Sequence, residues 1–508
     1  MGSPVPGDGV GTRPEGGGGA AQGAAHFWAM LAPPCRLLRT PPPPRLTEVQ
    51  DAFLERYPDY LETSVLGELR ERDFQRLERA GAVYLDYTGG GLYADSQIER
   101  HAEVLRERVL GNPHSTNPAS ALSTRLVEEC RRRVLAFFRA APEEWVVVLT
   151  ANASQALKLV GEAYPFAPGS RFLLTFDNHN SVNGIREYDR AQGADTRYVP
   201  MQPDSLRVAW SDLERELDAP ATGAPRLFAY PAQSNFSGVQ HPLEWIAEAQ
   251  ARGWDVLLDA AAFVPTNRLD LGRWRPDYVA LSFYKMFGYP TGVGALLARR
   301  CALARLRRPW FAGGTITVAS VQADSFVRAP GSEGFEDGTL NYAAIPAVTI
   351  GLDLLDRVGI ETVRTRVHCL TGWLIERLLE LHHDNGRPLV RLYGPRELAR
   401  RGGTVALNFL TPTGEVVDHA RIEARAGEQG ISLRTGCFCN PGAGELALGL
   451  HREELEGCFR QVDTCSTYEA FRSCLDPAGT GAVRLSLGWV SNLADVERFV
   501  AFAAELAS

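Results

Sequence analysis

Lysine is almost missing from this chain: Lys158 and Lys285 are the only two in 508 residues, although lysine and arginine together number 53. Arginine therefore supplies nearly all the positive charge, and a lysine needs a local reason. No run of 18 apolar residues occurs, which excludes a membrane-spanning helix. An excess of basic charge is lacking too. The net charge of -8 gives no nucleic-acid footprint, and Arg305, Arg307 and Arg308 read as a solvated helix face. Nine scattered cysteines, an odd number in a long chain, make no disulfide framework and point to a reducing, cytoplasmic location. Cys458, Cys465 and Cys474 match no zinc spacing and read as core or surface thiols, so no metal site is expected.

What is present is an ordinary globular composition, 45% hydrophobic and 22% charged, enough for a large core and two or three structural units. Residues 1–45, with GGGGAAQGAA and PPPP, cannot supply a core and read as a disordered leader. The apolar AHFWAMLAPPC within it fits neither a secretory signal nor a lipid-attachment site, because Pro33 and Pro34 precede Cys35. Met30 is an alternative start. Helical spacing marks a bracing segment over 46–80. A strand, loop, helix rhythm then predicts an α/β fold, with a large domain over 81–364 built on a doubly wound, mostly parallel sheet. IPAVTIGLDLLDRVGIETV reads as one helical stretch broken at Gly359. It leads to a smaller C-terminal α/β domain over 365–508, with strands at LVRLYG, TVALNFL and AVRLSLG and a closing helix, NLADVERFVAFAAELA.

The chemistry gathers at strand ends. DVLLDAAAF ends its apolar run in Asp259, and YVALSF delivers Ser282, Tyr284 and Lys285. Both runs read as buried parallel strands, whose carboxyl ends meet in one crevice. An acid and an amine about 26 positions apart, each closing a hydrophobic strand, suit pyridoxal phosphate: the amine forms a Schiff base and the acid keeps the ring nitrogen protonated. WVVVLT leads to Asn152, Ala153 and Ser154 at a helix start, where amides and a hydroxyl bind anions. Taken alone, such a serine is more often merely an N-cap. His179, after RFLLTFDN, reads by itself as a core histidine, Asn235 as a turn residue, and Lys158 as a helix-surface residue.

SFYKMFGYPTG and RTGCFCNPGA carry a closer likeness. Together with the strand ends they resemble the class V, fold-type I pyridoxal-phosphate enzymes of the cysteine desulfurase group, most closely the aminotransferase-like domain of molybdenum cofactor sulfurases. The resemblance covers roughly residues 80–500. It implies a seven-stranded sheet in the large domain, a phosphate site at Ser154, a ring-stacking and proton-shuttling role for His179, and an Asn235 bond to the cofactor's phenolic oxygen. Gly338 and Thr339 would reach the phosphate of a partner's cofactor, giving a homodimer. Arg434 matches an arginine that grips the substrate carboxylate, a grip guanidinium geometry suits. Cys439 matches the nucleophile that takes sulfur from L-cysteine as a persulfide for an acceptor protein or small molecule.

Some positions depart from the wider pattern. Tyr284 stands where the desulfurases usually carry histidine and Ala262 where they often carry glutamine, both as the sulfurase branch has them. Gly444 stands where a further sulfurase cysteine is expected, which leaves Cys437 as spare thiol, relay or bystander. The long sulfurases continue into an acceptor domain, and a chain ending at Ser508 would pass sulfur to a separate molecule. A pyridoxal-phosphate lyase, transaminase or epimerase that leaves Cys439 unused, and a cofactor-binding protein without turnover, are the alternatives.

Overall fold

A computed structural model describes residues 46–113, 115–220, 222–461, 474–475 and 480–507. Thr47–Ser508 make up one compact unit. The glycine- and proline-rich leader, His114 of the GNPHS stretch and Cys465 lie outside the described residues.

The short β1 (Val83–Tyr84) precedes β2 (Trp145–Thr150), β3 (Arg171–Thr175), β4 (Asp195–Val199), β5 (Arg226–Pro231), β6 (Asp255–Asp259), β7 (Tyr278–Ser282) and β8 (Gly294–Arg299). Strands β2 to β8 form one sheet in the order β2-β8-β7-β6-β5-β3-β4. From β4 to β7 every pairing is parallel, and β8 runs antiparallel to both its neighbours. Seven strands and a mostly parallel sheet are what the resemblance implies. Helices cover both faces, so no strand needs a polar side, and WVVVLT and YVALS carry no alternation. The faces still take alternate residues. Val147, Leu149, Phe228, Tyr230, Val256 and Leu258 pack into one core, while Val146, Val148, Leu227, Ala229 and Leu257 pack into the other.

Two exposed strands, β9 (Ile316–Ser320) and β10 (Ser325–Arg328), make an antiparallel hairpin. The predicted helical stretch follows as Ile345–Val358 and Ile360–Leu379, parted by Gly359 at φ +81°. The C-terminal part contains β11 (Val390–Tyr393), β12 (Thr404–Phe409), β13 (Ile431–Ser432), β14 (Arg434–Gly436) and β15 (Ala482–Ser486). Four of these form an antiparallel sheet, β11-β12-β15-β14. Strand β13 pairs instead with β1, in the register Val83↔Ile431, and Asp86 bridges to Ser486. The YLDYT stretch thus joins the C-terminal sheet, not the central one it precedes.

Two expectations are corrected. Arg308 is not on a solvated helix face: the helix there is only Arg300–Leu303, and the Arg308 guanidinium is buried between Glu162 at 3.3 Å and Asp337 at 2.9 Å. A buried charge persists only with such partners. Cys458 and Cys474 are not isolated thiols but a disulfide, with Cα atoms 5.7 Å apart. Their spacing along the chain says nothing of distance in space. Cys130, Cys301, Cys369, Cys437 and Cys439 are free.

Candidate active site

The carboxyl ends of β2, β3, β5, β6 and β7 open into one cavity, as an open parallel sheet requires. Its lining brings together Asn152, Ala153, Ser154, His179, Asn235, Asp259, Ser282, Tyr284 and Lys285. The strand β8 passes close beside it because Gly294 has no side chain; a Cβ there would lie 2.6 Å from Asn152 Cα. At the start of the helix Ala153–Ala163, Asn152 Oδ1 caps Gln155 N at 3.0 Å, and Ala153 N donates to Ser282 Oγ at 2.8 Å. Ser154 Oγ lies 2.6 Å from Ser181 Oγ. Hydroxyls and helix-start amides thus form an anion cup. Lys158 points away from it and pairs with Glu162 at 2.8 Å on the helix surface.

Lys285 sits on the short helix Phe283–Phe287, which follows β7 directly. Tyr284 O accepts from Gly91 N at 3.0 Å, so the triple-glycine stretch packs against this helix. Burial pushes the Lys285 amine below its usual value, against Asp259, which raises it; Arg484 lowers it further. A proton thus leaves this amine more readily than an exposed one. Asp259 ends β6, and its Oδ1 accepts from Ala261 N at 3.0 Å. His179 Nδ1 accepts from Ser181 N at 3.1 Å, which leaves Nε2 to carry the ring proton. Burial lowers the His179 pKa, Asp259 opposes this, and Lys285 adds to it. Gln233 takes the space beside Ala262, its amide donating to the Ala262 carbonyl at 2.9 Å.

The cysteine loop reaches the same region from the C-terminal sheet. Phe438 and Cys439 both hold φ near +55°, a conformation costing about 1–2 kcal/mol for a residue with a side chain. Contacts from the large sheet keep it there. Asn180 N donates to the Cys439 carbonyl at 2.7 Å, and Asn235 Nδ2 donates to the Phe438 carbonyl at 2.7 Å. Asn440 Nδ2 donates to Asp177 at 2.6 Å and to Asn235 Oδ1 at 3.0 Å. Fully buried Asp177 also accepts from Ser234 and His241. The Cys439 residue is exposed, while burial pushes the Cys437 thiol up.

Several of these residues were not singled out from sequence. Arg484, 3% exposed, donates to the Asn235 carbonyl at 3.0 Å and to Asp86 at 2.8 Å, and lies over the Phe438 ring. Its charge acts on Lys285, His179 and Cys439. Arg434 stands further out, its side chain 52% exposed and ion-paired with Asp86 at 2.5 Å. Asn440 left a trace in NPGA, a cap residue before a proline at the helix start. Gly338 and Thr339 do not line the cavity. Gly338 N donates to the Gly313 carbonyl, and Thr339 Oγ1 accepts from Asn112 at 3.2 Å. An amine whose affinity for protons burial lowers, a strand-end acid, an imidazole and an anion cup fit pyridoxal phosphate.

Known proteins point the same way. The family profile described as Aminotransferase class-V matches residues 83–499. Molybdenum cofactor sulfurase of Homo sapiens is 39% identical over 86% of this chain and 51% of its own length, and that of Solanum lycopersicum is 36% identical over 86% and 56%. The chain thus spans about half the length of these relatives. Among solved structures, the apo cysteine desulfurase from Thermococcus onnurineus NA1 has a TM-score of 0.72 at 24% identity, covering 87% of this chain and 98% of that one. The cysteine desulfurase CsdA from Escherichia coli has a TM-score of 0.69 at 21% identity, over 87% and 98%. The fold is that of the cysteine desulfurases, and the chain belongs to the aminotransferase class-V family.

Proposed function

We propose that this protein is a pyridoxal-phosphate-dependent cysteine desulfurase of the molybdenum cofactor sulfurase type. The observation that carries the reading is that Asn235, which lines the cavity of half-buried Lys285, also holds the loop that carries exposed Cys439, a loop further bound by Asn180 and, through Asn440, by Asp177. When bound, the cofactor accepts the electron pair released at the substrate α-carbon. Lys285 would hold it covalently, Asp259 its ring nitrogen, His179 its ring face, and Asn152, Ala153, Ser154 and Ser282 its phosphate. Lys285 is placed to take the α-proton of L-cysteine. Arg434, the more accessible of the two arginines on Asp86, would grip the substrate carboxylate, with the buried Arg484 holding the other Asp86 oxygen behind it. The Cys439 thiolate attacks the substrate sulfur; the carbon–sulfur bond breaks, alanine leaves, and Cys439 keeps the sulfur as a persulfide for an acceptor protein or small molecule.

A homodimer is part of the proposal. Gly338 and Thr339 stand away from their own cavity, beside the hairpin that leaves Val318, Val321, Phe326 and Val327 exposed. Such a patch calls for a cover. The working division is a large domain over 81–364 and a small one over 365–508. A cytoplasmic location is supported, among the described residues, by five free cysteines against one disulfide. Among the described residues no helix is long and apolar enough to cross a membrane. The test is to incubate the protein with L-cysteine and cofactor. Stoichiometric alanine and sulfide under reductant are expected. Pyruvate would favour a lyase, and a spectral change without product a non-catalytic binder.

A further inference from the structure

A second cavity, of about 330 Å³, lies between the helix Ile360–Leu379 and the loop joining β11 to β12. Arg364 and His368 line it from the helix and Arg400 and Arg401 from the loop, and no carboxylate lines it. In a chain with 61 acidic and 53 basic residues, three arginines around one hollow are unbalanced; of the three only Arg364 has a carboxylate in reach among the described residues, Glu361 at 3.7 Å on the exposed helix surface. Arg401 is 5% exposed. Its terminal nitrogens donate to the carbonyls of Pro395 and Thr404, and its Nε has no hydrogen-bond partner. The acid it feels, Glu397, is ion-paired with Arg207 at 3.5 Å. Burial pushes Arg401 down to about 10. A buried guanidinium without a counter-ion is costly, and an anion from solution removes that cost.

The hollow is larger than a bare ion requires and lies near the lower end of small-molecule pockets, which begin at about 300 Å³. Beyond the arginines its polar lining is His368 from the helix and the internally bonded Thr266, Asn267 and Thr371. We propose that this cavity is a binding site for a small phosphate monoester, with Arg401 as its buried counter-charge and Arg364 and Arg400 gripping the phosphate from the rim. Guanidinium groups meet phosphate oxygens in pairs, which favours this anion over a halide. The site is separate from the cofactor cavity. Between the two stands Gln240, whose amide donates to Gln233 at 3.0 Å and to Asn267 at 3.1 Å.

The test uses the full chain loaded with pyridoxal phosphate, so that the cup at Ser154 is filled, with excess cofactor removed. It is titrated calorimetrically with inorganic phosphate and with glycerol 3-phosphate at constant ionic strength. Saturable binding is expected for both, tighter for the ester, and weakened about tenfold or more in Arg364→Ala/Arg400→Ala. Both substituted side chains are on the rim, so the variant keeps its fold, which a matched thermal transition checks. Arg401→Gln should abolish binding; if it does not fold, the double variant decides. Absence of saturable binding, or unchanged affinity in the double variant, overturns the site. Binding of inorganic phosphate alone overturns the ester class.

Discussion

Lys285 and Cys439 approach one cavity from two differently built regions. Around Lys285 the backbone does the placing: five strand ends and one helix start converge, Asp259 and Ser282 are the last residues of β6 and β7, and Lys285 follows on the short helix after β7. Around Cys439 side chains do the placing. Two residues in left-handed conformation are held by Asn180, Asn235 and, through Asn440, by Asp177, all far away in the chain. The first region is rigid because the sheet is rigid. The second is held only while its bridges last, so it is the part of the site that local opening would release first.

The comparison can be broken most severely at its two poles. Replacing Lys285 with alanine should remove the yellow chromophore and cut alanine production about 10³-fold or more, read by absorbance and amino-acid analysis. Cys439→Ser should cut desulfuration to a similar extent while the chromophore forms and still responds to cysteine; Cys437→Ser should leave the rate nearly unchanged. An equal loss from both cysteines would overturn the assignment to Cys439. Next come the arginines. Loss of a charge-assisted grip worth about 1.5–3 kcal/mol should raise KM for cysteine about 10- to 100-fold in Arg434→Met and less in Arg484→Met. The reverse order would move the grip to Arg484.

Smaller effects sharpen the contrast between backbone and side-chain construction. Asn440→Ala removes a helix cap and the bridge to Asp177, and should cost about 1–2 kcal/mol by denaturant unfolding. Its kcat should fall while cofactor affinity holds, and a variant that loses the cofactor instead would show that the loop supports the pocket. The least effect concerns His179. Its pKa lies below the 6.5 of the free side chain because burial disfavours the charged form. The unfolded chain then binds more protons just below pH 6.5, so stability should fall as pH drops through that window. In His179→Asn the slope of unfolding free energy against pH between 7 and 5 should be shallower.

The same contrast explains what could be read from residues alone. Asp259 and Lys285 were legible because an apolar run ending in a polar residue is a local pattern, and β2, β3, β5, β6 and β7 were legible because each is a hydrophobic run, whereas β4, DTRYV, carries no such signal and the count of seven came from the resemblance alone. Arg484 was not. It lies inside AVRLSLG, where period and composition announce only a strand, and its meaning comes from Asp86, 398 positions earlier. Asp177 looked like any polar residue after a strand, and its partner Asn440 is 263 positions away. Arg308 sat among basic neighbours and gave no hint of Glu162. Cys458 and Cys474 could be paired only once the fold had brought them together.

The pairing of β1 with β13 has a further bearing, on the order of events at the ribosome. Residues 83–86 are made early, yet their hydrogen-bond partners at 431–432 and 486 emerge only after the whole central sheet has been synthesised. Asp86, the carboxylate that both Arg434 and Arg484 grip, therefore waits through most of translation without either. The cluster of Asp86, Arg434 and Arg484 is thus assembled only when the segments near 431 and 486 close on residues 83–86.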